Sequence, residues 1–446
     1  MITRIEALNY RCLRYIRQDL GPFHVLVGPN ASGKTTFLDV VAFLGRMVLD
    51  GPEEAVGDRT HNFQDLVWGR YGDRFELAIE AAVPENKHPA LGERRYKRIR
   101  YEVRIGLDSP AGDVSILAEK VVLKVGSMPP SRNGFKDSFP DPEVPPMSIL
   151  TKSSQRSTHN KLVIHKDPAG KDHYYSEWAA ESKRIPAFRL GPRKSALANL
   201  PADETMFPVS NWLKDLLSDS VRPFVLNSLL IRKASPPQRI HGVFKTDGSN
   251  LPWMIESLRQ RSPDRFPKTT HSSTLILSSR TTQQGLPDRF HDWIEHLRTA
   301  LPDIEDIRTV ERADDRHRYL MVRYRSGIEI PSWMVSDGTL RLLALTLPAY
   351  LQDFGGIYLI EEPENGIHPR AVETMFQSLS SVDDAQILLA THSPVILSIA
   401  DPKTVLCFAK SDDGATDIIL GSEHPSLREW RGETNLGVLF AAGVLG

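Results

Sequence analysis

Hydrophobic and polar positions set a strand rhythm at the start of the chain and then change period. Ile2 to Leu8, Tyr10 to Ile16 and Phe23 to Val27 read as strands, the last a short apolar run around His24. The run stops at Gly28, and apolar positions resume at helical spacing from Phe37, which predicts a helix from about Lys34 to Leu49. Strands leading directly into that helix predict one sheet that starts antiparallel and becomes parallel. Arg74 to Val83 and Tyr96 to Leu107 alternate like strands. Lys161 to Lys166 and His173 to Trp178 flank Asp167-Pro168-Ala169-Gly170, which predicts a hairpin. Helices are expected over Leu251 to Leu258, capped by Ser249 or Asn250, and over Asp288 to Ala300, with Phe290, Trp293, Ile294 and Leu297 on its core face. Tyr319 to Tyr324 predicts a strand, and the apolar positions from about Leu340 through Tyr350 a helix. Two apolar runs, Ile357 to Ile360 and Ile387 to Ala390, predict buried parallel strands.

Composition divides this pattern. Between 127 and 160, Pro129, Pro130, Pro140, Pro142, Pro145 and Pro146 sit among polar residues, and no packed core is expected there. A chain of 446 residues exceeds one typical domain. The expected division is residues 1–105, an inserted α+β lobe over 106–220, and residues 221–446. The 55 basic and 56 acidic residues cancel, so any binding of double-stranded DNA needs local patches. Two segments are candidates: Arg94, Arg95, Lys97, Arg98, Arg100 and Arg104, and then Lys183, Arg184, Arg189, Arg193 and Lys194. Either they contact phosphates or they are strand faces balanced by acids elsewhere. Two distant cysteines, Cys12 and Cys407, do not make a disulfide framework and suit a reducing compartment. With no signal-peptide pattern and no apolar run of membrane-spanning length, the expectation is a soluble cytoplasmic chain with no membrane partner.

The chemistry concentrates at the change of period. Gly28-Pro29-Asn30-Ala31-Ser32-Gly33-Lys34-Thr35, with Thr36 after it, is the phosphate-binding P-loop in its strand-loop-helix setting. The glycines let backbone N–H groups turn inward around a polyphosphate, and the helix N-terminus points at the same place. Lys34 would neutralise phosphate charge, and the Thr35 hydroxyl would hold Mg²⁺. The matching acids are Glu361 and Glu362, at the end of the Ile357 strand, where open α/β sheets place ligands. Neighbouring strand residues face opposite sides, so the two acids are expected to have different tasks. Glu361 would approach Mg²⁺ through water, and Glu362 would polarise the attacking water. Ser336-Asp337-Gly338-Thr339 opens a helix, either as a second anion site or as an ordinary N-cap. His392, at the next strand end, is a candidate γ-phosphate contact.

These four segments, in this order, resemble the ABC-type ATPase heads of the SMC, RecF and OLD families. Walker A matches Gly28 to Thr35, the signature resembles Ser336 to Thr339, Walker B resembles Ile357 to Glu362, and the switch histidine resembles His392. The run Glu362-Pro363-Glu364-Asn365-Gly366-Ile367-His368-Pro369 is similar to the turn that compact bacterial relatives carry after Walker B. The resemblance covers roughly 1–105 and 221–446 and implies an α/β P-loop NTPase head with a mixed sheet. It implies ATP hydrolysis with Mg²⁺, with two heads sandwiching ATP so that the signature of one meets the phosphates held by the other. Each motif occurs once, so a complete site implies a homodimer or higher oligomer. Glu361 and Asp337 depart from the common Asp and Gly of such heads, and Gln64, in Asn62-Phe63-Gln64-Asp65, is either their Mg²⁺-contacting Q-loop residue or an ordinary surface-loop residue. Stand-alone heads of this size resemble the ATPase subunits of two-gene phage-defence modules, which implies a separately encoded effector such as a nuclease. A scaffold that rarely hydrolyses ATP and a DNA-repair ATPase are the alternatives. The proline-rich insertion, Asp337 and the Glu361-Glu362 pair argue against a transporter motor.

Overall fold

The computed structural model describes residues 1–87, 96–108, 112–126, 136–152, 160–167, 171–178, 187–238, 243–261, 288–352, 354–427 and 437. The chain opens with β1 (Ile2–Tyr10), β2 (Leu13–Asp19) and β3 (Phe23–Val27), then α1 (Lys34–Asp50) and α2 (Pro52–Gly57). There follow β4 (Arg74–Ala82), β5 (Tyr96–Asp108), β6 (Asp113–Val125), β7 (Asn160–Lys166), β8 (Asp172–Tyr174), α3 (Pro208–Asp219) and β9 (Val221–Phe224). The next stretch holds α4 (Ser228–Arg232), α5 (Leu251–Arg261), α6 (Arg289–Ala300), β10 (Ile304–Glu311), β11 (Arg318–Tyr324), β12 (Glu329–Pro331) and α7 (Asp337–Thr346). The last described elements are β13 (Gly356–Glu361), α8 (Pro369–Ser380), β14 (Ala385–Ala390), α9 (Pro394–Ile399), β15 (Val405–Lys410) and β16 (Thr416–Leu420).

Packing divides the chain into two units, one of residues 1–223, 355–362 and 385–446, the other of 224–354 and 363–384. These borders differ from those suggested by composition. β5 runs across residue 105, and β6 pairs antiparallel with it from Tyr96–Val125 to Asp108–Asp113, so residues 106–220 stay with the first unit. β6 itself escapes the hydrophobic pattern because Glu119 and Lys120 sit at buried positions within it.

The expected single sheet is in fact two. β1 and β2 belong to an antiparallel seven-stranded sheet in the order β2-β1-β4-β5-β6-β7-β8. β3 lies in a six-stranded sheet, β16-β15-β3-β14-β13-β9, where it pairs parallel with β14 and β15. The partners of β3 come from the far end of the chain, which no local pattern can indicate. The buried Gln386 side chain ties the sheets together: it accepts from Ile2 N at 2.8 Å and donates to Ile2 O and Gly21 O, each at 2.7 Å. His24 fits the apolar β3 because both ring nitrogens are satisfied, Nδ1 by Thr404 O at 3.0 Å and Nε2 by Gly21 N at 2.7 Å.

The basic strand has a structural role. Arg100 is buried and bonds Glu6, Glu102 and Glu80 at 2.9, 2.7 and 3.3 Å; Arg98 pairs with Glu80, and Arg104 reaches Glu76 at 2.6 Å. Of the two readings for this segment, charge balance by acids describes these three arginines. Arg193 pairs with Glu53 and Asp113. Arg94, Arg95, Lys183 and Arg184 lie outside the described residues.

Part of the proline-rich stretch, 136–152, is a strap tied to the same charges rather than a loose connection. Ile149 N and Ser148 Oγ donate to Glu76, and Thr151 N and Oγ1 to Glu102, between 2.6 and 3.0 Å. Arg100 in turn donates to Ile149 O at 2.9 Å. Lys136 is 2.7 Å from Asp417 of β16. Buried carboxylates fix this segment through backbone N–H groups, which no apolar count detects.

In the second unit, β10, β11 and β12 form a three-stranded antiparallel sheet, and Trp293 of α6 is fully buried with its Nε1 on Thr346 Oγ1 at 2.9 Å. Among the described residues no helix is long and apolar enough to cross a membrane.

Candidate functional site

β3 delivers the chain to the P-loop, and α1 begins at Lys34. Gly28 has φ +150°, Ala31 +60° and Gly33 +106°. A Cβ on Gly28 would stand 2.2 Å from Phe408 O, and one on Gly33 2.5 Å from Thr416 Oγ1, so β15 and β16 press the loop into shape. Thr416 Oγ1 also donates to Ser32 O at 2.9 Å. Lys34 donates to Gly28 O at 2.8 Å and Pro29 O at 2.9 Å, folding its ammonium onto the loop. Burial lowers its pKa, opposed by Glu362 and then Glu361.

A cleft of about 830 Å³ runs along this loop. Asn30 to Thr36 form one wall, and Glu361, Glu362 and His392 come to it from the ends of β13 and β14. The two acids do not face opposite sides. The strand ends at Glu361, and Glu362 has φ +47°, a turn that brings both carboxylates to the cleft. A non-glycine residue in the left-handed region before a proline is strained, and its N–H is held by Ala390 O at 2.8 Å. Thr35 Oγ1 donates to Glu361 Oε2 at 2.5 Å. This hydroxyl–carboxylate pair suits Mg²⁺, which takes one or two protein oxygens and completes its shell with water and phosphate. No three-residue His, Cys, Asp or Glu metal cage occurs among the described residues.

Gln64 is exposed and does not line the cleft; its neighbour Asp65 does. The short 3₁₀ turn Phe63–Leu66 buries Phe63 and Leu66, which sets the direction of the residues between them. The sequence reading also missed Arg11, Cys12, Trp68, Arg70, Lys410 and Asp413, all of which line the cleft. For Lys410 and Asp413 a signal existed, since Asp412-Asp413-Gly414 is a hairpin turn.

Ser336 to Thr339 belong to the second unit. Ser336 caps α7, accepting from Thr339 N at 3.2 Å, and Asp337 pairs with Arg232 at 2.5 Å. A Cβ on Gly338 would stand 2.5 Å from Gly366 O, so the signature-like turn and the Glu364-Asn365-Gly366 turn pack backbone to backbone.

Residues 23–398 match the family described as "AAA domain, putative AbiEii toxin, Type IV TA system". The chain belongs to that family. A curated relative of this AAA chain, the OLD nuclease of Thermus scotoductus, is 46% identical over 41 residues, which is 9% of this chain and 8% of that protein. The AAA chain is also similar to an Smc head domain from Pyrococcus furiosus, solved with an extended coiled coil and bound to the C-terminal domain of ScpA. That pair is 12% identical, covers 94% of this chain and 95% of the other, and has a TM-score of 0.48. For the SMC head domain of Thermotoga maritima the values are 9%, 94%, 98% and 0.43. The AAA family and the sheet that carries the P-loop identify an α/β P-loop ATPase fold.

Proposed function

We propose that this AAA chain hydrolyses ATP and uses it to close and open a homodimer that drives a separately encoded effector. The observation that carries this reading is the convergence of Lys34, Thr35, Glu361, Glu362 and His392 on one cleft, from three strand ends far apart in sequence. Backbone N–H groups of the loop would cradle the phosphates, and Lys34 would leave the Gly28 and Pro29 carbonyls for them. Glu362 would take the proton of the attacking water, and His392 would contact the γ-phosphate. Thr35 and Glu361 would hold Mg²⁺, which supplies positive charge for the phosphoryl oxygens. Ser336 to Thr339, which open α7 with N–H groups and a capping hydroxyl, would serve the cleft of a second copy, because each chain holds one copy of each motif. The family description, a putative toxin of a type IV TA system, supports a role in a module of more than one component; that the module serves phage defence and that a separate effector is driven are part of the proposal.

Light scattering with and without Mg-ATP tests the switch on wild type and Glu362→Gln. We expect only the variant to hold a larger species with ATP, because binding survives and turnover stops. Mass independent of nucleotide in both proteins would overturn the switch.

A further inference from the structure

A second, smaller chamber of about 270 Å³ adjoins the P-loop, bounded by Asn30, Ser32, Phe139, Lys410, His424 and Ser426 among others. Asn30, Ser32 and Lys410 line both this chamber and the cleft, so the two share a wall. Two of its side chains are buried with unanswered polar atoms: Ser32, 1% exposed, through Oγ, and His424, 3% exposed, through Nε2. Ser426 N donates to His424 Nδ1 at 3.2 Å, which places the ring proton on Nε2 as a donor. Burial lowers the His424 pKa. Lys410 adds an ammonium, and its described neighbours provide it no ion pair. Among the described residues no carboxylate lines the chamber. The set is rich in donors and short of acceptors, which selects an oxyanion. Phe139, edge-to-face with His424 at 5.1 Å, supplies an apolar wall beside Pro140 and Pro425. The volume equals roughly nine waters' share of liquid, more than a lone phosphate fills.

We propose that this chamber binds a small flat-bodied oxyanion, its acidic group on His424 Nε2–H, the Ser32 hydroxyl and Lys410, its body against Phe139. Occupancy there bears on the cleft through the shared loop wall, an effect that rests on the cleft being the nucleotide site.

Calorimetric titration tests it on protein first saturated with Mg²⁺ and a non-hydrolysable ATP analogue, so that the loop itself is filled. Phenyl phosphate and benzoate are the probes, and phenol is the uncharged control. One of the two anions should bind at one site per chain, phenol should not, and the stronger anion identifies phosphate or carboxylate as the group read. His424→Leu should weaken that anion at least about tenfold, the loss of a charge-assisted hydrogen bond. His424→Gln, which keeps an N–H donor, should retain most of the affinity. Should His424→Leu fail to fold, Phe139→Ala takes its place and should weaken binding several-fold. No binding of either anion, or equal affinity in wild type and the removing variant, overturns the proposal. Failure of the ATP analogue to bind would instead overturn the nucleotide reading. The anion titration, run on nucleotide-free protein, would then still read the chamber through His424→Leu.

Discussion

At Gly28 the backbone carries both a left-handed φ and a 2.2 Å approach of a would-be Cβ to Phe408 O, a backbone atom held in β15. Gly28→Ala should therefore destabilise the fold by about 1–3 kcal/mol and abolish nucleotide binding. Gly57, at the end of α2, has open space around its would-be Cβ. Gly57→Ala should be neutral or stabilising by about 0.4–1 kcal/mol, with binding intact. Urea unfolding and nucleotide titration of the two variants check this contrast, and equal effects would remove the special status of Gly28. The motif predicts the need for glycine here, because it names the loop. That Phe408 is the obstacle emerges only from the parallel pairing of β3 with β15. Glu362 makes the same point: its identity as an acid at a strand end was legible, whereas its turn into the cleft depends on a single φ of +47°.

Among the elements, the seven-stranded sheet carries an unusual buried network. Glu80 is fully buried; burial alone would raise its pKa, but Lys124, then Arg100 and Arg98, outweigh it and bring it down to about 2. Lys124 itself is lowered, because burial and Arg100 together exceed the pull of Glu80. The acid is depressed in the fold, so its contribution to stability is present above the unfolded carboxylate range near 4.5 and is lost as pH falls toward 2. The shift corresponds to about 3 kcal/mol at neutral pH. Glu80→Gln should lose an amount of this order at pH 7, and its stability should fall less steeply than wild type between about pH 4.5 and 2. Parallel curves in urea unfolding across that range would show that Glu80 does not carry this dependence. Strands β4 and β5 were legible because apolar positions alternate along them. Their polar partners were not, since the acids come from β1, β4 and β5 and their hydrogen bonds from the 136–152 strap.

For the whole molecule, the proposed dimer makes a prediction that neither residue nor element can. Lys34→Ala removes the phosphate contact on one face, and Ser336→Arg removes the signature-like cap on the other. Each alone should abolish ATP turnover. Mixed in equal amounts, half of the dimers pair one of each and hold one intact composite site, so about one quarter of wild-type turnover should return. An inactive mixture of folded, exchanging subunits would refute a site shared between chains. This test separates the proposed switch from an assembly scaffold, in which nucleotide holds subunits together with little turnover.

The sequence by itself determined what is local: the P-loop and its helix, the acids at the end of an apolar strand, the Ser336 turn, the histidine after the next strand, and a family membership resting on those motifs. Each depends on a spacing of a few residues that fixes a turn, a cap or a strand end. The tertiary structure alone decided the separation of β1 and β2 from β3 into two sheets, and the retirement of Arg98, Arg100 and Arg104 into ion pairs. It also settled the strap's anchorage on buried carboxylates and the shared wall of cleft and chamber. These rest on contacts between residues tens to hundreds of positions apart, where pairing partners and charge neutralisation follow from the packed whole and leave no periodic trace in the chain.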